Sequence, residues 1–126
     1  MPHLIIDYSA NMEERTDISE LCDVLRLAAI ETGVFPMPGI RVRAVRADHV
    51  CLADGESKHG YVDISIRLRA GRDLKTRKTA TEQIFAAAHH FLEPVMALYP
   101  IALSMEMRDI DPDLSPKAGT IRDHLT

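Results

Sequence analysis

The sequence contains no apolar run long enough to span a bilayer and no excess of positive charge. A transmembrane helix needs about 20 consecutive apolar residues, and the runs here are only a few residues long, so we expect no membrane partner. The 15 lysines and arginines are outnumbered by 19 aspartates and glutamates, which gives a net charge of −4. Because nucleic-acid-binding proteins need a basic face to neutralise phosphates, this balance argues against nucleic acid as a partner.

Cysteine is scarce. Cys22 and Cys51 are the only two cysteines, too few for a disulfide framework and not spaced as zinc ligands. The opening residues 1–7 also lack the basic region and the long apolar core of a secretory signal. Both observations favour a reducing compartment, and we expect a cytoplasmic protein.

Metal-ligand and nucleotide-binding motifs are absent as well. The six histidines show no ligand spacing. His89 and His90 are adjacent, so on a helix they point about 100° apart and cannot hold one ion together. No Gly-rich phosphate loop is present. These patterns predict no metal site, and we interpret the two adjacent histidines as surface or interface residues.

What is present is typical of one globular domain. The chain has 126 residues, of which 46% are hydrophobic and 27% charged. Single domains of about 100–150 residues are the commonest size, and this composition is close to the globular average. We therefore predict one domain over 1–126.

The first half of the sequence is predicted to form a strand, a helix and a second strand. The apolar run 4–6 is too short for a helix and is typical of a buried strand. Asp17, followed three residues later by Glu20, indicates a capping box at a helix start, and Gly33 indicates the helix end. Between them an apolar stripe recurs at helical spacing, formed by Ile18, Leu21, Cys22, Leu25, Ala28 and Ala29. Residues 40–52 are predicted to be extended.

The second half repeats this order. Residues 61–70 alternate between apolar and polar side chains, which predicts a half-buried strand. Asp73 is predicted to cap a second helix, and Pro94 to kink or end it. The apolar stripe of that helix is predicted to comprise Leu74, Ala80, Ile84, Ala87, Ala88, Phe91 and Val95. A second alternation over 101–108 predicts the fourth strand.

The two halves are a tandem duplication of one β-α-β unit, with boundaries at 2–55 and 59–110 and an irregular tail at 111–126. Each unit should cross over in the right-handed sense, so its two strands lie parallel. We therefore predict an α+β fold in which duplicated β-α-β units form a four-stranded sheet with two helices on one face. The other face carries Arg41, Arg43, Arg67 and Arg69. An open face with this much charge predicts packing against further subunits.

Pro2 is a candidate general base. The initiator methionine is usually removed before a small residue such as proline, and this removal exposes a secondary amine. Burial near cations lowers the pKa of an amine, and a general base works best when its pKa is near the operating pH. Pro2 also has a purely structural explanation, because proline is common at the first position of a strand.

Two arginines are predicted to lie near the start of the first strand. Arg41 begins the second strand, and Arg72 lies in the turn before the second helix. Guanidinium groups bind carboxylates in a bidentate manner and stay charged, so a base beside them suits an acidic substrate whose enolate needs stabilising. Arg43 competes with Arg41 for this role because both lie on one strand face. Taken singly, each arginine is also compatible with an ordinary solvated surface charge.

These residues together resemble the tautomerase superfamily, and within it the 5-carboxymethyl-2-hydroxymuconate delta-isomerase family. The resemblance covers nearly the whole chain. The segments that carry it are Met1-Pro2-His3-Leu4-Ile5-Ile6, Phe35-Pro36, Gly39-Ile40-Arg41, Ala53-Asp54-Gly55 and Arg69-Ala70-Gly71-Arg72.

The resemblance implies a cytoplasmic homotrimer with its sheets inside and its helices outside. It implies a cofactor-free isomerase that acts on 5-carboxymethyl-2-hydroxymuconate in the catabolism of homoprotocatechuate, with Pro2 moving the proton. By motif position, Arg41 and Arg72 would bind substrate carboxylates or the developing enolate. Two alternatives are an isomerase of other 2-hydroxydienoates or of phenylpyruvate-type substrates, and a non-catalytic trimer that binds a small ligand, because a fold does not fix a function.

Overall fold

The computed structural model describes all 126 residues and contains one four-stranded sheet and two α-helices. In chain order the elements are β1 (His3–Ser9), α1 (Ile18–Glu31), β2 (Arg41–Ala47), β3 (Gly60–Arg69), α2 (Leu74–Met96) and β4 (Ile101–Ile110). The strand order is β2-β1-β3-β4. The strands within each half are parallel, and β1 and β3 meet antiparallel at the centre. This arrangement confirms the predicted duplicated β-α-β fold.

Both helices cover one face of the sheet, as the alternation predicts. The residues of β1 and β3 that point toward the helices are fully buried, namely Leu4, Ile6, Val62, Ile64, Ile66 and Leu68. Leu21 and Leu25 of α1 and Ile84 of α2 pack onto them. Each such aliphatic side chain contributes about 1.5–3 kcal/mol when it leaves water, so this layer fixes the positions of the strand ends.

The helix boundaries follow local sequence signals. The side chain of Asp17 accepts a hydrogen bond from the Glu20 backbone N–H at 3.0 Å, and that of Asp73 accepts one from the Thr76 N–H at 2.8 Å. Such caps contribute about 1 kcal/mol each. Gly33 follows α1 with a φ of +70°, a conformation that favours glycine. Both predicted starts are confirmed.

Two predictions about extent differ from the structure. The strand predicted over 40–52 ends at Ala47, because its partner β1 ends at Ser9 and offers no backbone groups beyond that pair. In α2 the predicted stripe is wrong at one end, since Leu74 is 70% exposed. The fully buried positions lie four residues apart, at Ala80, Ile84, Ala88 and Leu92. Pro94 lies inside α2, which continues to Met96.

The second face of the sheet is uncovered in the single chain. Arg41, Arg43, Arg67 and Arg69 lie on it, as predicted from their alternation with the buried residues. His3 pairs with Arg41 on one side and with Arg67 on the other. Neither helix has a stretch long and apolar enough to cross a membrane.

Candidate functional site

A cavity of about 270 Å³ lies where β1 and β2 begin side by side. Its wall is built partly from the segment just before β2 and partly from the C-terminal tail. The lining residues are Met1, Pro38, Gly39, Arg41, Lys117, Ala118, Gly119, Ile121 and Arg122. The cavity is close to the lower end of the usual size range for small-molecule sites, about 300 Å³.

Parallel pairing of β1 and β2 positions the N-terminal side of this cavity. The Arg41 backbone N–H donates a hydrogen bond to the Pro2 carbonyl at 3.1 Å. Pro2 is fully buried directly behind Met1. Proline is tolerated there because the first strand position does not need its N–H for the ladder.

Gly39 packs against the backbone of Met1. A Cβ at position 39 would lie 2.6 Å from the Met1 nitrogen and 3.2 Å from its carbonyl oxygen. Any larger residue would therefore displace the start of the chain. Met1 and Gly39 share one small space beside the side chain of Arg41, and this space opens if Met1 is absent.

The electrostatic setting of the cavity is cationic. Arg41, Lys117 and Arg122 line it, and no carboxylate does. Burial lowers the pKa of the Met1 α-amino group, and the charges of Arg41, Lys117 and Arg72 lower it further, in that order. Such an arrangement favours a neutral amine and an anionic ligand.

Arg72 is held beside the site and is not part of the cavity wall. Its guanidinium donates to the carbonyl of Val34 at 3.1 Å and to that of Arg69 at 3.2 Å. It also lies 5.7 Å from the centre of the Phe35 ring. These contacts hold a permanent charge at the C-terminal end of β3, close enough to affect the Met1 amine.

The structure separates the two candidate arginines of β2. Arg41 lines the cavity, whereas Arg43 lies two residues further along the open sheet face, with its Nη1 3.2 Å from Nδ1 of His3. Burial lowers the pKa of His3, and the nearby Arg67, Arg41 and Arg43 lower it further. The neutral ring can then accept a hydrogen bond from Arg43.

Lys117 and Arg122 are cavity residues that sequence reasoning missed. Both belong to the tail at 111–126, which shows no periodicity and only two short 3-10 turns, at Pro112–Leu114 and Ile121–His124. No local pattern indicates that this segment returns to the start of β1. The proximity becomes visible only in the folded sheet. There β3 and β4 end on the same side as β1 begins, so the tail that follows β4 starts near the N-terminus.

A larger cleft of about 770 Å³ lies at the opposite end of the sheet. Glu13, Glu14 and Asp17 line it together with Arg15, so its charge does not suit an anionic ligand. The Tyr8 hydroxyl donates to Glu13 there, and this bond together with burial raises the pKa of Tyr8 to about 12. No chemistry follows from this arrangement.

The remaining residues considered from sequence lie apart from the cavity. Cys22 is half-buried against the core, and burial raises the pKa of its thiol, which disfavours the reactive thiolate. Cys51, His89 and His90 are exposed. No group of three or more histidine, cysteine, aspartate or glutamate side chains is arranged to hold a metal ion.

The sequence matches one family over almost its whole length. Residues 2–125 fit the family described as 5-carboxymethyl-2-hydroxymuconate isomerase. A 5-carboxymethyl-2-hydroxymuconate Delta-isomerase from Escherichia coli is 31% identical over 121 residues, which cover 96% of either chain.

Solved structures of the same description superpose closely. A crystal structure of a 5-carboxymethyl-2-hydroxymuconate delta-isomerase matches with a TM-score of 0.91 and 29% identity, covering 98% of this chain and 92% of that one. The isomerase from Deinococcus radiodurans R1 matches with a TM-score of 0.90, 28% identity and the same two coverages, 98% and 92%. A fused 4-OT described as a symmetric trimer matches with a TM-score of 0.67 and 17% identity over 92% of this chain and 91% of that one, and supports the fold alone.

Proposed function

Because the chain belongs to the 5-carboxymethyl-2-hydroxymuconate isomerase family, we propose that it moves a proton within 5-carboxymethyl-2-hydroxymuconate with Pro2 as the base. The observation that carries this proposal is the cationic cavity at the start of β1, where Pro2 lies directly behind Met1. The reaction needs no cofactor. We place it, with the family, in the catabolism of homoprotocatechuate.

The proposed base forms when Met1 is removed. An acylated proline nitrogen has no basic lone pair, whereas a terminal proline is a secondary amine. The Met1 amine has its pKa lowered by burial and by Arg41, Lys117 and Arg72. The Pro2 amine would lie one residue away in the same surroundings, so its pKa should be lowered for the same reasons. A neutral amine is then available near neutral pH.

The proton transfer follows the conjugation of the substrate. Pro2 accepts the proton of the 2-hydroxyl group, and the electron pair moves along the diene as the C–O bond becomes a ketone. The protonated amine then delivers the proton to a distant carbon of the chain. Proline is regenerated, and no other atom is exchanged.

Arginines stabilise the charge in this proposal. Arg41 lines the cavity and is the first candidate to bind a substrate carboxylate or the developing enolate. Arg72 contributes its charge from the end of β3. Arg43, which contacts His3 on the open sheet face, has a secondary part in substrate binding.

The test is the ultraviolet-monitored isomerisation of 5-carboxymethyl-2-hydroxymuconate by protein whose mass shows that Met1 is absent. Turnover well above the uncatalysed rate is expected. Turnover of simple 2-hydroxydienoates without turnover of this compound would favour a different tautomerase, and binding without turnover of either would favour a ligand-binding protein.

We also propose that the chain forms a cytoplasmic homotrimer. Five arginines on the uncovered sheet face support this proposal, because a second copy packed on that face would bury its strands and enclose the charges. Sedimentation equilibrium at micromolar concentration should give three times the chain mass of 14.1 kDa. A monomer under these conditions would contradict the proposal.

A further inference from the structure

The C-terminal tail forms more than half of the cavity wall. Five of the nine lining residues lie between 117 and 122, beyond the last strand of the duplicated core. The tail packs loosely, since nearly all of its side chains are exposed. Its local order comes from Asp111, which accepts hydrogen bonds from the Asp113 N–H at 2.9 Å and, through its carbonyl, from the Ser115 hydroxyl at 2.6 Å.

We infer that Lys117 is a specificity-determining residue that binds the carboxymethyl carboxylate of the substrate, with Arg122 as a second cation beside it. This inference rests on the proposed function and deepens it. It assigns to the tail the task of distinguishing a tricarboxylate from a dicarboxylate.

The charges of site and substrate support this assignment. A muconate has a carboxylate at each end, and the carboxymethyl branch adds a third. The duplicated core supplies Arg41 in the cavity wall and Arg72 just outside it, so two positive charges are available to offset two carboxylates. The third needs another cation, and Lys117 and Arg122 are the other cations that line the cavity.

Neither tail cation is neutralised by the protein. Lys117 and Arg122 take part in none of the six ion pairs of the chain, and neither side chain makes a hydrogen bond to a protein group. By contrast, Arg72 is already bound to two backbone carbonyls. An ammonium without a protein partner, in a cavity free of carboxylates, can bind a substrate carboxylate without first breaking a contact.

Lys117 is favoured over Arg122 as the primary contact because its charge acts on the amine at the start of the chain. Among the charges that do so it ranks second after Arg41, whereas Arg122 is not among them. Lys117 lines the same cavity as Met1, and its charge is felt at the start of the chain, where the proposed base would lie. A carboxylate bound there would lie close to the reacting part of the substrate.

The experiment compares two substrates that differ by the branch, 5-carboxymethyl-2-hydroxymuconate and 2-hydroxymuconate. Lys117→Met should lower kcat/KM for the tricarboxylate about 10- to 100-fold, mainly by raising KM, because one charge-assisted contact is lost. Measured at a pH where the amine of Pro2 is neutral in both enzymes, the value for the dicarboxylate, or its inhibition constant if it is not turned over, should stay within about twofold of wild type. Lys117→Arg should retain most of the wild-type kcat/KM for the tricarboxylate. Arg122→Met should lower this value by a smaller factor than Lys117→Met does.

Lys78→Met provides the matched control, because Lys78 is an exposed lysine on α2 that makes no ion pair. It should leave both substrates unaffected, and thermal unfolding should show that all variants fold. Equal losses on both substrates, or no loss on either, would overturn the assignment of Lys117 while leaving the proposed function intact. A folded wild-type enzyme that converts neither substrate would overturn the proposed function and the assignment together.

Discussion

The sheet contains two equivalent parallel strand pairs, β1 with β2 and β3 with β4. The pairs differ in what occupies the space beside the start of the first strand of each. At the start of β1 the chain leaves an open, cationic cavity. At the start of β3 the equivalent space is filled, since a Cβ on Gly60 would lie 2.9 Å from Nη1 of Arg15 and 3.1 Å from Oδ1 of Asn11. The duplication provides two comparable sites: side chains of Arg15 and Asn11 occupy the one beside Gly60, whereas the one beside Gly39 is occupied by Met1, which the proposed processing removes.

At the filled end, Asn11 and Arg15 are bound to backbone carbonyls of the protein itself, although Nη1 of Arg15 is buried without a hydrogen-bond partner. Asn11 donates to the carbonyl of His59 at 2.8 Å and to that of Ser57 at 3.3 Å. Arg15 donates to the carbonyl of Lys58 at 2.7 Å and lies 4.3 Å from the centre of the Tyr99 ring. The side chains of the cations that line the open end, Arg41, Lys117 and Arg122, make no hydrogen bond or ion pair with the protein. One end of the framework thus stabilises the fold, and the other end retains charges that can serve a ligand.

The largest expected effect comes from changing the residue behind the open cavity. Pro2→Ala should lower kcat at least about 100-fold, the scale on which a general base contributes, because the secondary amine is replaced by a primary amine held less rigidly. The initiator methionine is also removed before alanine, so mass spectrometry can confirm equal processing. Full activity in the processed variant, measured by the ultraviolet assay, would remove Pro2 from the mechanism.

The next effect in size concerns Arg72, at the open end. Arg72→Ala should lower kcat/KM about 10- to 100-fold, with a raised KM and a lowered kcat, because carboxylate binding and enolate stabilisation are lost together. It also leaves the Val34 and Arg69 carbonyls without their donor, so denaturation should be measured in parallel. A loss of stability with unchanged kinetics would assign Arg72 a structural role alone.

At the filled end the expected effect is on stability. Asn11→Ala removes the donor to two backbone carbonyls and should lower the free energy of unfolding by about 1–2 kcal/mol, as measured by urea denaturation. The kinetic constants of the folded variant should equal those of wild type. Altered kinetic constants with an unchanged free energy of unfolding would contradict the assignment of stability to this end and of ligand binding to the other.

The smallest expected effect is on the pH profile. A base whose pKa is lowered is neutral, and therefore active, down to a lower pH, so kcat/KM should rise with pH through the lowered pKa and level off above it. Arg41→Met removes a proposed carboxylate contact, which should lower kcat/KM at every pH, and it also removes the charge that lowers the pKa of the neighbouring amine most strongly. The rising limb should then move to higher pH. Asn11→Ala is the control, and an equal displacement in that variant would argue against a local electrostatic cause.

Local signals made much of the fold predictable. Asp17 and Asp73 cap helices through bonds to residues three positions away, and the alternation in β3 is visible over ten residues. Leu74 misled the prediction because it is apolar and was assigned to the helix stripe, yet it is the first residue of α2 and is 70% exposed.

The site was predictable only where it belongs to a strand or a turn between elements. Pro2 immediately precedes β1 and Arg41 begins β2, so the parallel pairing of these strands brings them together. Arg41 and Arg43 share a strand face, and only the position of the cavity separates them. The tail residues Lys117 and Arg122 could not be found, because tertiary folding alone brings their segment back to the start of the chain.

The contact between Gly39 and Met1 has a practical consequence for handling the protein. If Pro2 is the base, any residue left ahead of it occupies the space beside Gly39 and blocks the amine. The specific activity of a preparation then reports the fraction of chains trimmed by the host's aminopeptidase. An affinity tag at the N-terminus would mimic an untrimmed chain, and one at the C-terminus would extend the segment that lines the same cavity. A cleavable fusion that releases proline as the first residue avoids both problems.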